Sequence, residues 1–167
     1  MTAKLKLTLE SWMRTGAVGS LRVGDSTKAL VRTLGTTKIV GPKPNKSIPG
    51  YWLYGVVEFG ISYNGLIEWI QSDTVNIESD LTESGFIDLD WQGVYHHMPL
   101  DQCVEWLSYH GLAHDFRVDD DGAMITVENN IQLLLTDVSA PKLVTVWCPP
   151  MLAMGPRKLP NDEITTG

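Results

Sequence analysis

The chain predicts an α+β fold built from two tandem helix-plus-antiparallel-meander units packed as one or two lobes. Three observations lead there. A short helix signal, Asp25 to Gly35, precedes Val57-x-Phe59-x-Ile61 and then Leu66-Ile67-x-Trp69-Ile70. A second, Pro99 to Gly111, precedes Ile131-x-Leu133-x-Leu135 and then Leu143-Val144-x-Val146-Trp147. Within each candidate strand apolar residues alternate, as one-sided burial of an antiparallel sheet requires. Matching Val57 to Ile131 and Leu66 to Leu143 leaves one small insertion between the two registers, the signature of a repeated unit.

The elements follow in order. Leu5, Leu7 and Leu9 alternate like a strand, while Leu9, Trp12 and Met13 recur at helical spacing; Thr8 as N-cap and Gly16 as terminator favour a short helix. Asp25 and Ser26 then cap a helix that buries Ala29, Leu30 and Leu34 and closes at Gly35. Thr37 to Val40 reads as a short strand, and Gly41 to Gly50, with three prolines, as a loop. Tyr51–Tyr54, Val56–Ile61 and Leu66–Gln71 are rich in aromatic and β-branched residues and form a meander. Its Asn64-Gly65 pair predicts a two-residue hairpin turn with both central φ positive.

An acidic connector follows, with strand-like alternation over Phe86 to Trp91. The second helix opens with Pro99 in its first turn, carries Cys103, Val104, Trp106 and Leu107 at helical spacing, and stops at Gly111. Strands at His114–Val118 and Ala123–Val127 flank Asp119-Asp120-Asp121-Gly122, Asn129-Asn130 makes the next turn, and Ser139-Ala140-Pro141 the one after. From Cys148 onward, repeated prolines and a polar end predict an extended tail. The resulting organisation is an N-terminal helix and loop over 1–20, a first unit over 21–72, a connector over 73–95, a second unit over 96–148 and a tail over 149–167.

Composition narrows the function classes. The 167 residues are 43% hydrophobic and 20% charged, ordinary values that exclude wholesale disorder. At this length folding buries about two-thirds of the surface of the extended chain. The net charge is −7 and the pI about 4.9, which disfavours nucleic acid and anionic membranes and steers toward a basic partner. Two cysteines, Cys103 and Cys148, lie on separate elements and read as small buried residues in a reducing compartment. Glu10 and Arg14 interrupt any apolar run at the N-terminus, and no stretch reaches the ~20 apolar residues of a membrane span. A soluble, cytoplasmic protein is the expectation.

No catalytic signature stands out. His96 and His97 are adjacent, and His110 and His114 are four apart, but Gly111 ends the helix that would align the second pair, so no metal site is expected. The carboxylates of Asp119-Asp120-Asp121 are consecutive rather than alternate, unlike a calcium loop. Asp88 and Asp90 share a strand face, with Trp91 on the opposite one. Together with His96 and His97 they form the alternative reading, an enzyme or ligand site between the halves. There is no GxSxG, P-loop or GxGxxG, and no cofactor is expected.

Two packed sheets and two helices can absorb several aromatics as core, yet six tryptophans in this length is generous, and exposed Trp and Tyr anchor protein interfaces. Tyr51, Tyr63, Trp91 and Tyr95, beside turns or the connector, are the aromatics expected at the surface. With the acids Asp73, Glu78, Asp80, Glu83, Asp88 and Asp90 they make the candidate partner-binding set.

The stretch Gly24-Asp25-Ser26-x-x-x-Leu30-Val31-x-x-Leu34-Gly35, followed by Trp52-x-Tyr54-Gly55-x-x-Glu58-Phe59, resembles a pattern in small bacterial proteins of unassigned role. The order of elements is similar in outline to the tandem repeats of β-lactamase inhibitor proteins and to the single repeat of small outer-membrane assembly lipoproteins. The lipoproteins' lipid-modified cysteine and the inhibitors' disulfides have no counterpart here. Immunity proteins of bacterial toxin systems resemble this chain in being small, acidic, cytoplasmic and non-catalytic. The resemblance implies a sheet face that binds protein, and with the charge it predicts an immunity or inhibitor-type module for a basic partner; homo-oligomerisation stays open.

Overall fold

Near the N-terminus the alternating and the helical apolar patterns both have their way, one after the other. In a computed structural model, which describes residues 4–37, 40–73, 86–119, 122–136 and 139–150, Leu5–Thr8 is strand β1 and Leu9–Thr15 is helix α1. The Thr8 side chain accepts the Ser11 N–H, and Gly16, at φ 67°, ends the helix, because only a left-handed residue lets the chain turn back over the last carbonyls. Ser26 caps α2 (Thr27–Leu34) in the same way and Gly35 closes it. Pro99 is the N-cap of α3 (Leu100–Tyr109) rather than part of its first turn, and makes no side-chain cap bond.

The strands are β2 (Gly50–Tyr54), β3 (Val57–Ile61), β4 (Ile67–Ser72), β5 (Ile87–Asp90), β6 (His114–Asp119), β7 (Gly122–Val127), β8 (Gln132–Thr136) and β9 (Lys142–Cys148). The class is α+β. Strands β2-β3-β4-β9-β8-β7-β6 form one antiparallel sheet, and β1 pairs with β5 in parallel. Both meanders therefore lie in a single sheet, joined where Ile70, Gln71 and Ser72 face Cys148, Trp147 and Val146. The first meander has three strands and the second four. Of the expected strand at Thr37–Val40, residues 38 and 39 lie outside the described residues; Val40 makes an isolated bridge to Trp52.

The two halves close the same backbone hydrogen bonds at matching positions. Leu21 donates to Val18 and Val94 to Trp91; Asp25 donates to Arg22 and Met98 to Tyr95. Gly24 and His97, both at left-handed φ, donate to Ile67 and Leu143, each at 2.7 Å. Ile67 returns a bond to Asp25, as Leu143 does to Met98. Ser26 bridges Leu66 where Pro99 bridges Lys142. The extra residue of the β3–β4 bulge is Glu68, and that of the β8–β9 bulge is Val144. In these bridges Leu66 stands in the first half where Lys142 stands in the second.

Two further expectations change. The Asn64-Gly65 turn is not a two-residue hairpin: Gly65, at φ 74°, donates to the Ser62 carbonyl and Ser62 N–H reaches Leu66, closing a longer loop in which Gly65 has the positive φ and Asn64 does not. Trp91 is buried, at 8% exposure. Alternation along β5 explains it, since Asp88 and Asp90 point outward and Ile87, Leu89 and Trp91 share the other face.

One continuous core takes Leu9, Trp12 and Met13 from α1, Leu30 and Leu34 from α2, and Cys103 and Leu107 from α3. They meet the inward side chains of the sheet, among them Tyr54, Phe59, Ile70, Ile125, Leu133 and Val146. Among the described residues, α1, α2 and α3 thus all cover the same side of the sheet.

Candidate binding face

The opposite face follows from the register. One row across the sheet reads Leu53, Glu58, Gln71, Trp147, Gln132, Thr126, Asp115. Beside it run Tyr51, Gly60 and Trp69 in the first half, and Thr145, Leu134, Met124 and Arg117 in the second. Because the core residues fill the other side, strand alternation alone sets these side chains on the helix-free face.

Most of this face is half-buried by its own neighbours, while Tyr51, Asp73, Asp115 and Arg117 are exposed. The Trp69 indole lies across Gly60, where a Cβ would overlap its ring. The absence of a side chain at Gly60 is thus what lets the indole lie flat across β3. The seam between the halves is tied by Thr145 Oγ1, which donates to Asp73 Oδ1 at 3.0 Å, and Gln71 Nε2 donates to Asp73 Oδ2 at 3.1 Å.

Glu58 stands in the middle of the first half's row. Burial pushes its carboxyl above the ordinary range and the Asp73 charge adds to this, while a hydrogen bond from Gln71 acts the other way. It is a carboxylate kept among Leu53, Gln71 and Trp147 without a cation: no Lys or Arg pairs with it among the described residues. A positively charged group arriving on this face would offset both effects.

The expected partner-binding residues do not gather in one place. Tyr51 and Asp73 are on this face. Tyr63 is exposed on the loop after β3, in a cleft of about 370 Å³ that it lines with Ile48 and Leu66. Glu78, Asp80 and Glu83 lie outside the described residues. Asp88 and Asp90 project from β5 opposite Lys6 and Thr8, and Asp90 Oδ1 accepts the Gln92 N–H at 2.9 Å. Tyr95 is exposed and its hydroxyl donates to Gln102 Oε1 at 2.8 Å. Trp91 is in the core and available to no partner.

Sequence reasoning missed Glu58, Trp69, Gln71 and Trp147 as surface residues. The signal was present in the first half: Val57-Glu58-Phe59-Gly60 sets Glu58 on the face opposite two buried apolar residues.

The chemistry-bearing residues elsewhere do not form one cluster. The His96 and His97 rings lie 4.0 Å apart, and no hydrogen bond joins either to Asp88 or Asp90. Burial, then the neighbouring His97, holds His96 below the ordinary histidine range. His110 Nδ1 meets Glu10 Oε2 at 3.1 Å and its ring stacks on Trp106, whereas His114 Nδ1 meets the Leu112 carbonyl. Arg14 and His110 together hold the Glu10 carboxyl below the usual carboxylate range, the Arg14 bond contributing most. Cys103 and Cys148 are buried and free, and burial pushes their thiols up to about 12 and about 11, so neither is a thiolate nucleophile near neutrality. Among the described residues no group of three His, Cys, Asp or Glu side chains could hold a metal ion, and no helix is long and apolar enough to cross a membrane. No family model, no curated protein and no solved structure matches this chain.

Proposed function

We propose that this chain is a non-catalytic protein-binding module of the immunity or inhibitor type, cytoplasmic, that neutralises a basic partner on the helix-free face of its sheet. The observation that carries this reading is the uncompensated Glu58 carboxylate, set beside Asp73 among Trp69, Trp147 and Tyr51. Rigid aromatics give contact area at low entropic cost, and a desolvated acid selects a cation. The net charge of −7 acts in the same direction at long range. The matched hydrogen bonds and bulges support a further part of the proposal, that the chain is two tandem copies of one helix-plus-meander unit.

The test is affinity capture from the native host, identification of the retained protein, and calorimetry of the purified pair. Trp69→Ala and Glu58→Gln should each weaken binding about tenfold or more, while Tyr109→Ala, on an 85% exposed side chain of α3, should leave it unchanged. Failure to retain any protein, or equal affinity of the face variants and the parent chain, sinks the proposal.

A second reading is kept because the Nδ1 of His96 is buried with no hydrogen-bond partner among the described residues. On that reading His96 and His97, with Asp88 and Asp90 nearby in sequence, serve a small-molecule or catalytic site. A thermal-shift screen decides: stabilisation that disappears in His96→Ala supports it, and a flat screen removes it.

A further inference from the structure

The two outer edges of the sheet are treated differently. Along β2, Gly41 N–H donates to the Tyr51 carbonyl, Thr37 Oγ1 donates to the Leu53 carbonyl and Val40 bridges Trp52, so Thr37, Val40 and Gly41 occupy that edge. Among the described residues, strand β6 pairs with β7 alone. Glu128 donates to the Ala113 carbonyl, and Val127 turns its N–H away to Ile131 on the β8 side. Antiparallel pairs alternate between bonded and non-bonded. Asp115 and Arg117 therefore bond to β7, while His114, Phe116 and Val118 point their N–H and C=O groups outward, without a partner among the described residues. Phe116 and Val118 are 40% and 46% exposed although they stand opposite the buried Ile125 and Ala123. A regular edge strand that leaves an aromatic and a β-branched side chain exposed beside unpaired backbone groups invites pairing with another strand.

We propose that β6 is a homodimerisation edge, pairing antiparallel with β6 of a second copy of this chain about a two-fold axis through Phe116. The sequence of the strand is self-complementary in this register. Phe116 faces Phe116 of the second copy, and His114 faces Val118, each as a bonded pair that uses the outward N–H and C=O groups. Asp115 then faces Arg117 of the second copy as a non-bonded pair, the kind that brings side chains closest. The same pairing recurs on the other side of the axis, as an isologous interface requires. Neither Asp115 nor Arg117 has an ion-pair partner among the described residues. Sliding the strands by two residues in either direction sets Asp115 against Asp115, or Arg117 against Arg117, which is destabilising. Charge thus selects one register. The proposal is independent of the partner-binding reading above.

Sedimentation equilibrium on the full chain tests it. The parent should show a concentration-dependent mass rising to twice the 18.5 kDa of one chain. Asp115→Arg and Arg117→Asp each replace both attractive pairs by repulsive ones, and each should weaken self-association about tenfold or more. An equimolar mixture of the two variants should dimerise again, because each supplies the charges the other lacks. Phe116→Pro removes an outward N–H while sparing the bonds to β7, and should abolish the dimer with an unchanged far-UV spectrum. A parent that stays monomeric throughout, or a dimer indifferent to both charge reversals, overturns the proposal. So does a mixture that fails to restore association when both variants are folded.

Discussion

Glu58 ties stability to recognition at a single residue. Burial and the charge of Asp73 raise its folded-state pKa above the ordinary value of 4.5. The folded chain therefore holds the Glu58 proton more tightly than the unfolded chain does. Its contribution is most favourable at low pH and is lost as pH rises from about 4.5 through the raised folded value; above that window the penalty is constant. Glu58→Gln should stabilise the chain at neutral pH, and the fall in stability across that window, followed by urea denaturation at several pH values, should become shallower. If the same variant also weakens partner binding, the carboxylate is kept at a cost to the fold. Gly60 makes a second case. Gly60→Ala drives a methyl group into the Trp69 ring, and should cost about 1–3 kcal/mol, the usual range for overpacking, with a change in tryptophan emission as the indole leaves β3. Residues such as these were partly legible beforehand. The place of Glu58 between Val57 and Phe59 was readable from alternation. The pairing of Trp69 with Gly60 was not, because Glu68 bulges out of register and breaks the period on which such reading depends.

Among the elements, those governed by local chemistry were the readable ones. Thr8, Ser26, Gly16 and Gly35 cap their helices as their side chains and φ preferences require. Ser26→Ala should therefore cost about 1 kcal/mol, read as a lower urea midpoint with an unchanged slope; a negligible effect would mean that the bridge to Leu66 alone holds the start of α2. Strand β1 was lost to the helix that follows it. Its four residues find their partner only in β5, from Ile87 onward, and no local window contains that pairing. Trp91 was misplaced for a related reason: its place beside a turn and the connector suggested exposure, whereas its parity with Ile87 and Leu89 of β5 governs where it goes. Parity is the stronger physical constraint, since a strand cannot turn one side chain out of its alternation without a bulge.

At the scale of the whole molecule, the question left open by sequence was whether the two meanders make one lobe or two. The seam between the meanders is short, with Ile70, Gln71 and Ser72 against Cys148, Trp147 and Val146, yet the core beneath it is continuous from Trp12 through Phe59 and Ile70 to Val146, Leu133 and Leu107. Backbone pairing alone would couple the halves weakly; shared apolar burial couples them strongly, because exposing either half's inward face would expose the other's. Ile70 is fully buried at this seam. Ile70→Ala should destabilise the chain by about 2–5 kcal/mol, and the loss should appear equally in both halves. Hydrogen exchange by amide tests this: protection at Phe59 in the first meander and at Ile125 in the second should fall together. Far-UV dichroism and tryptophan emission should trace a single coincident transition. Loss confined to the first meander would show that each meander carries its own stability and that the sheet merely abuts them.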